Sequence, residues 1–120
     1  MKHLTIIEAE QTVIKLLEQE TIELTCFLFF ETHCLKCNDF IELIVPWLES
    51  QNIEVYGINL AENFMPFPPG VTPTTYWYVL KDRPPMVKKG LPPAMDMLKL
   101  EVEKMLAVNK GEMTVEQAFF

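Results

Sequence analysis

The chain has 120 residues, 49% of them hydrophobic and 22% charged, which suits a single domain around one hydrophobic core. Ten Lys and Arg against seventeen Asp and Glu leave a formal charge of −7, so nucleic-acid backbones and anionic membrane surfaces are repelled and neither is expected as a direct partner. The opening MKHLTIIEAEQ lacks the apolar core of a signal peptide, and the longest apolar run, Cys26 to Phe30, is far shorter than the roughly 20 residues of a membrane span. A cytoplasmic protein is expected. In a reducing compartment three cysteines do not make a disulfide scaffold, so any disulfide should be transient.

Leu4 to Ile7 form a short β-prone run, and Glu8 to Glu20 follow with Val13, Leu16 and Leu17 at helical spacing, which predicts a strand and then a helix. Ile22 to Phe30 is almost continuously apolar, the pattern of a central strand covered on both faces. From Leu35 to Gln51 the residues Phe40, Ile41, Ile44, Trp47 and Leu48 share one helical face, and Ile53 to Leu60 then reads as a parallel strand reached by a helical crossover. Ala61 to Thr72 holds Pro66, Pro68, Pro69 and Gly70 and is expected to be an irregular loop. Thr74 to Leu80 and Met86 to Lys89, separated by a polar turn, predict an antiparallel hairpin. A closing helix is expected from about Pro93 to Asn109, ended by Gly111. Residues 1–109 are thus expected to be one domain, and 110–120 a weakly amphipathic tail ending in an exposed Phe119-Phe120 pair.

Cys34 and Cys37 stand where the apolar strand stops and the amphipathic pattern begins. At a helix N-terminus the free amide N–H groups and the helix dipole favour a thiolate, so Cys34 is expected to ionise below the free thiol value of about 8.5. Cys37, one helical turn inward, is close enough to form a disulfide and should be more shielded. Cys34 is therefore the expected attacking residue and Cys37 the resolving one. Lys36 and His33 could add positive charge beside Cys34, a modest contribution if both are exposed.

CLKC after the second strand, ValThrProThr at 71 to 74 before the hairpin, and the strand and helix order over Leu4 to Asn109 together resemble the thioredoxin-like proteins. The resemblance implies an α/β fold with a central mixed β-sheet and helices on both faces: βαβαβ, a β-hairpin and a C-terminal helix. It also implies a cis peptide before Pro73, with the proline loop facing the dithiol. Cys34 and Cys37 would then be the catalytic, redox-active pair, and the backbone at Thr72 beside Pro73 would bind an extended substrate segment. His33, Leu35, Gly90 and Leu91 would surround that contact, and Lys36 would tune the Cys34 thiol. The implied activity is thiol exchange with disulfide-containing proteins, without metal or organic cofactor, by a monomer that draws electrons from a thioredoxin reductase or glutathione.

This sequence departs from that pattern at several positions. His33 stands where an aromatic residue is usual before the first cysteine, and Leu35-Lys36 replace Gly-Pro between the two. Leu28 replaces the buried acid six positions upstream, Pro46 lies further along the helix than the usual kink, and the loop before Pro73 is too short for the usual helix. Glutaredoxin is the nearest alternative, although it expects a Gly-Gly and an acidic helix start where only Gly90 and Asp96 stand. A zinc site built on the CxxC would need further ligands from Cys26, His3 or His33, which have no recognisable spacing, and Cys26 reads as a core thiol. A third alternative is a non-catalytic binding module anchored by Phe119 and Phe120.

Overall fold

The computed structural model describes residues 1–120. Thr5 and Glu8 decide where its first long element begins. The Glu8 N–H donates to Thr5 Oγ1 at 3.1 Å and the Thr5 N–H donates to Glu8 Oε1 at 2.9 Å, a reciprocal capping box. The box starts helix α1 (Ile6–Glu18) directly after a minimal strand β1 (Lys2–His3). The strand expected over Leu4 to Ile7 is therefore displaced towards the N-terminus, and Ile6 and Ile7 open the helix instead. The helix penalty of a β-branched residue is only about 0.7 kcal/mol, and satisfying two orphan N–H groups outweighs it.

The remaining strands are β2 (Thr25–Phe30), β3 (Glu54–Asn59), β4 (Thr74–Tyr78) and β5 (Met86–Lys89). They form one mixed sheet in the order β1-β3-β2-β4-β5, parallel across β1, β3 and β2 and antiparallel from β2 through β4 to β5. All six residues of β2 are buried, as a strand with helices on both faces requires. One face carries Phe27, Phe29 and Ile58 against Ala9 and Val13 of α1. The other carries Cys26, Leu28, Phe30, Val55 and Trp77. Against it pack α2 (Leu35–Asp39), α3 (Val45–Ser50), α4 (Met95–Asn109) and α5 (Val115–Phe119).

The single helix expected over Leu35 to Gln51 is interrupted by a π-helical turn at Phe40–Ile44. Pro46 supplies the reason: it has no N–H to offer the carbonyl one turn back, and the chain widens just before it, with the Val45 N–H bonded to the Phe40 carbonyl. The first hairpin strand stops at Tyr78 instead of Leu80, the second spans Met86–Lys89 as expected, and Val79 to Pro85 connect them. Helix α4 ends in a Schellman motif. Gly111 at φ +79° lets its own N–H reach Val108 O at 3.1 Å and that of Glu112 reach Ala107 O at 2.9 Å.

The expected tail from residue 110 onward does not hang free. Thr114 and Gln117 form a second capping box, α5 follows, and Ala118 is buried in the main core with Phe119 packed beside it. Only Phe120 is an exposed terminal aromatic. The Asn109 side chain fastens this end to the sheet, donating to Ile22 O at 2.8 Å and Val79 O at 2.9 Å.

Thr5→Ala removes one side of the first capping box and is expected to lower stability by about 0.5–2 kcal/mol in urea unfolding near neutral pH. The Thr5 backbone N–H holds the Glu8 carboxyl below its usual range. That contribution is present above the unfolded-state carboxyl pKa and is lost as pH falls through the lowered folded value. The destabilisation caused by Glu8→Ala should therefore shrink on acidification, and a constant difference from neutral to acid pH would contradict the capping role.

Candidate redox site

β2 ends at Phe30, and the chain turns through Glu31 to Cys34, whose N–H donates to Glu31 O at 3.3 Å. Cys34 is the N-cap of α2, with extended backbone at φ −91° and ψ 112°. Its sulfur occupies the place a serine oxygen takes in ordinary caps, accepting the Cys37 N–H at 3.2 Å. The helix dipole and this donor act on the same atom. Cys34 is half-buried, whereas Cys37 is 0% exposed. The Cα atoms are 5.1 Å apart, and the two sulfurs are joined as a disulfide.

The second wall of the site comes from the loop between β3 and β4. Cys34 Sγ lies 3.6 Å from both the carbonyl oxygen and the hydroxyl of Thr72. The Thr72–Pro73 peptide is cis, and Pro73 is buried. The loop is held on both sides of Thr72: Thr74 Oγ1 donates to Val71 O at 2.6 Å, and the Gly90 N–H donates to Pro73 O at 2.7 Å. Neither the N–H nor the C=O of Thr72 has a backbone partner. Once the disulfide is reduced, the Cys37 N–H and the Thr72 hydroxyl can both donate to a Cys34 thiolate, while the Thr72 carbonyl dipole opposes it. Two donors and a helix N-terminus against one carbonyl favour the anion.

The structure thus brings Cys34, Cys37, Thr72 and Pro73 together, with Gly90 linked to them through Pro73. His33, Leu35 and Lys36 are exposed on the rim, so charge from Lys36 or His33 reaches the sulfur through solvent and is screened. Beyond Gly90 a cleft of about 270 Å³ opens, lined by Leu91, Pro92, Pro93 and Met97, with Phe40 and Thr75 among its walls.

Beneath the dithiol helix, Leu28 is fully buried and lies between Gly57 of β3 and Thr75 of β4. No carboxylate occupies that position. The polar group there is Thr75 Oγ1, which accepts the Trp77 indole N–H at 2.8 Å and donates to Lys88 O at 3.5 Å. Thr75 and Trp77 did not stand out in sequence, although the two-residue period of β4 puts them on one face. Cys26 is 0% exposed, and burial pushes its thiol well above the usual range, which makes it an inert core group. No three His, Cys, Asp or Glu side chains converge as metal ligands, and no helix is long and apolar enough to cross a membrane.

No family sequence model matches the chain, and no curated protein matches it in sequence. Solved structures do match it. A chloroplastic thioredoxin z aligns with 89% of this chain and 95% of its own at TM-score 0.63 and 20% identity. A Plasmodium falciparum thioredoxin aligns with 87% of this chain and 98% of its own at TM-score 0.61 and 15% identity. The germline-specific thioredoxin Deadhead of Drosophila melanogaster covers 86% and 98% at TM-score 0.62 and 14% identity. At such identities the likeness is one of fold, and the chain has the α/β thioredoxin-like fold with its CxxC pair at the start of α2.

In the reduced, folded protein Cys34 should be alkylated first, Cys37 much more slowly, and Cys26 only after unfolding, as peptide mapping of iodoacetamide adducts would reveal. Thr72→Val keeps the side-chain shape but removes the hydroxyl donor. Losing one hydrogen bond of about 0.5–1.5 kcal/mol should slow Cys34 alkylation near neutral pH by roughly 2- to 10-fold. An unchanged rate would mean that the hydroxyl does not act on the sulfur.

Proposed function

We propose that this thioredoxin-like chain is a thiol-disulfide oxidoreductase that reduces disulfides in other proteins. One observation carries the reading: the half-buried Cys34 sulfur sits at a helix N-cap, bonded to the Cys37 N–H and facing a Thr72 backbone whose N–H and C=O have no backbone partner. The Thr72 N–H and C=O are the groups that an extended substrate segment would pair with as an added strand. His33, Leu35 and Gly90 surround this contact, and the exposed Lys36 adds a small, screened bias toward the thiolate.

In the reduced enzyme the Cys34 thiolate attacks one sulfur of the substrate disulfide. That S–S bond breaks, one substrate thiolate leaves, and a mixed disulfide forms on Cys34. Cys37 then loses its proton and attacks Cys34 Sγ, releasing the second substrate sulfur as a thiolate that takes up a proton. Two electrons have passed to the substrate, and the enzyme is left with the Cys34–Cys37 disulfide. Because Leu28 fills the place of a buried acid, the Cys37 proton passes to water or directly to a departing substrate thiolate. A thioredoxin reductase or glutathione restores the dithiol, the exchange uses no metal or organic cofactor, and the cytoplasm is the compartment that suits it.

Cys34→Ser is expected to abolish insulin disulfide reduction, whereas Cys37→Ser should retain the first step and accumulate a long-lived mixed disulfide visible by mass spectrometry. Equal, mild losses for the two variants would overturn the division of labour. Turnover coupled to a thioredoxin reductase, compared with turnover by glutathione on a glutathione mixed disulfide, separates the thioredoxin-type reading from the glutaredoxin-type one.

A further inference from the structure

The face of the sheet opposite the dithiol helix is only partly covered. α1 is its sole helix, because the connection from β3 to β4 crosses between Leu60 and Pro73 without forming one. What remains open is an apolar groove of about 420 Å³ between α1 and the β2-β4 surface, walled by Val13, Ile14, Phe27, Phe29 and Tyr76. Met65 of the connecting loop forms part of its rim, and Glu10 is the one charged residue lining it. On the same loop Phe64 and Phe67 turn outward, 88% and 90% exposed. From Phe64 to Leu80 the chain carries no charged residue at all.

We propose that this face is a homodimer interface, with Phe64 and Phe67 of each copy seated in the groove of the other. A twofold contact must be self-complementary, because whatever one copy inserts it must also receive. The chain meets that condition within a single patch: Met65 borders the groove while its neighbours Phe64 and Phe67 project beside it. A second copy covers both halves of the patch at once, its rings filling the groove and its groove receiving the rings. Phe rings bury about 150–250 Å² each, so four of them contribute about 600–1,000 Å², and the exposed groove edge at Ile14 adds to this, bringing the contact to about the 1,000 Å² that a specific interface needs. The net charge of −7 opposes association at long range. Screening limits that repulsion to a Debye length of about 8 Å at physiological salt, and the patch itself is nearly free of charge. On this proposal the chain is a dimer, where the sequence reading expects a monomer.

Analytical ultracentrifugation with a reductant present, so that no intermolecular disulfide contributes, should find a concentration-dependent species of twice the 13.9 kDa chain mass. The double variant Phe64→Ser/Phe67→Ser removes the inserted rings, and Ile14→Glu, at an exposed α1 position, spoils the groove. Each should weaken dimerisation by about 30-fold or more, the loss that marks a central contact residue, while leaving the circular dichroism unchanged. A monomer at several hundred micromolar would overturn the proposal, as would a dimer that survives either variant. A monomer whose groove holds a copurified apolar molecule would overturn it as well.

Discussion

The Cys37 N–H reaching back to the Cys34 sulfur is the contact on which the redox end of the molecule depends. It is an N-cap in which sulfur replaces oxygen. The same geometry that starts the helix therefore points a donor and the helix dipole at the Cys34 sulfur. The cap can form only because β2 stops at Phe30 and the chain reaches Cys34 in an extended conformation, so the central strand and the reactive atom share one boundary. The proline loop makes the site two-sided. Its two clamps, Thr74 to Val71 and Gly90 to Pro73, hold Thr72 against the sulfur without using Thr72's own backbone groups.

Where the sequence was legible, one local rule dominated. The apolar run ending at Phe30, the helix start at Cys34 and the turn between the hairpin strands each point to one structure, and the structure agrees. The cysteine pair was visible for the same reason, since its meaning came from standing at a strand-to-helix junction. Misreadings arose where two signals competed. Ile6 and Ile7 are β-formers, but Thr5 and Glu8 close a capping box around them. Phe40 to Val45 keep a helical period, yet Pro46 forces a wider turn. Thr114 and Gln117 repeat the capping pattern in a segment too weakly amphipathic to stand out, and Ala118 is a small residue whose burial only the assembled core reveals.

Other features were illegible because they belong to no single segment. The Thr72 hydroxyl meets the sulfur across 38 positions of chain, and the Thr75–Trp77 pair gains meaning only once β4 lies beside Leu28. The groove on the α1 face is likewise made by what the loop between β3 and β4 lacks. Its prolines exclude a helix, so a groove stays open between α1 and the sheet while Phe64 and Phe67 remain outside.

In the proposed exchange, the Leu28 position bears on how the two cysteines would divide the chemistry. A buried carboxylate beneath Cys37 would accept its proton inside the protein, but an uncompensated charge there would cost stability in a layer formed by Cys26, Leu28 and Trp77. The chain fills the layer with apolar groups and gives its one hydroxyl, on Thr75, a donor in Trp77 and an acceptor in Lys88 O. That arrangement favours stability at the expense of an internal base. With no carboxylate beneath Cys37, its deprotonation in the proposed exchange would fall to water or to the substrate sulfur. In that scheme preorganised donors on Cys34 would promote the first step, whereas the second would find no carboxylate beneath Cys37 to take its proton.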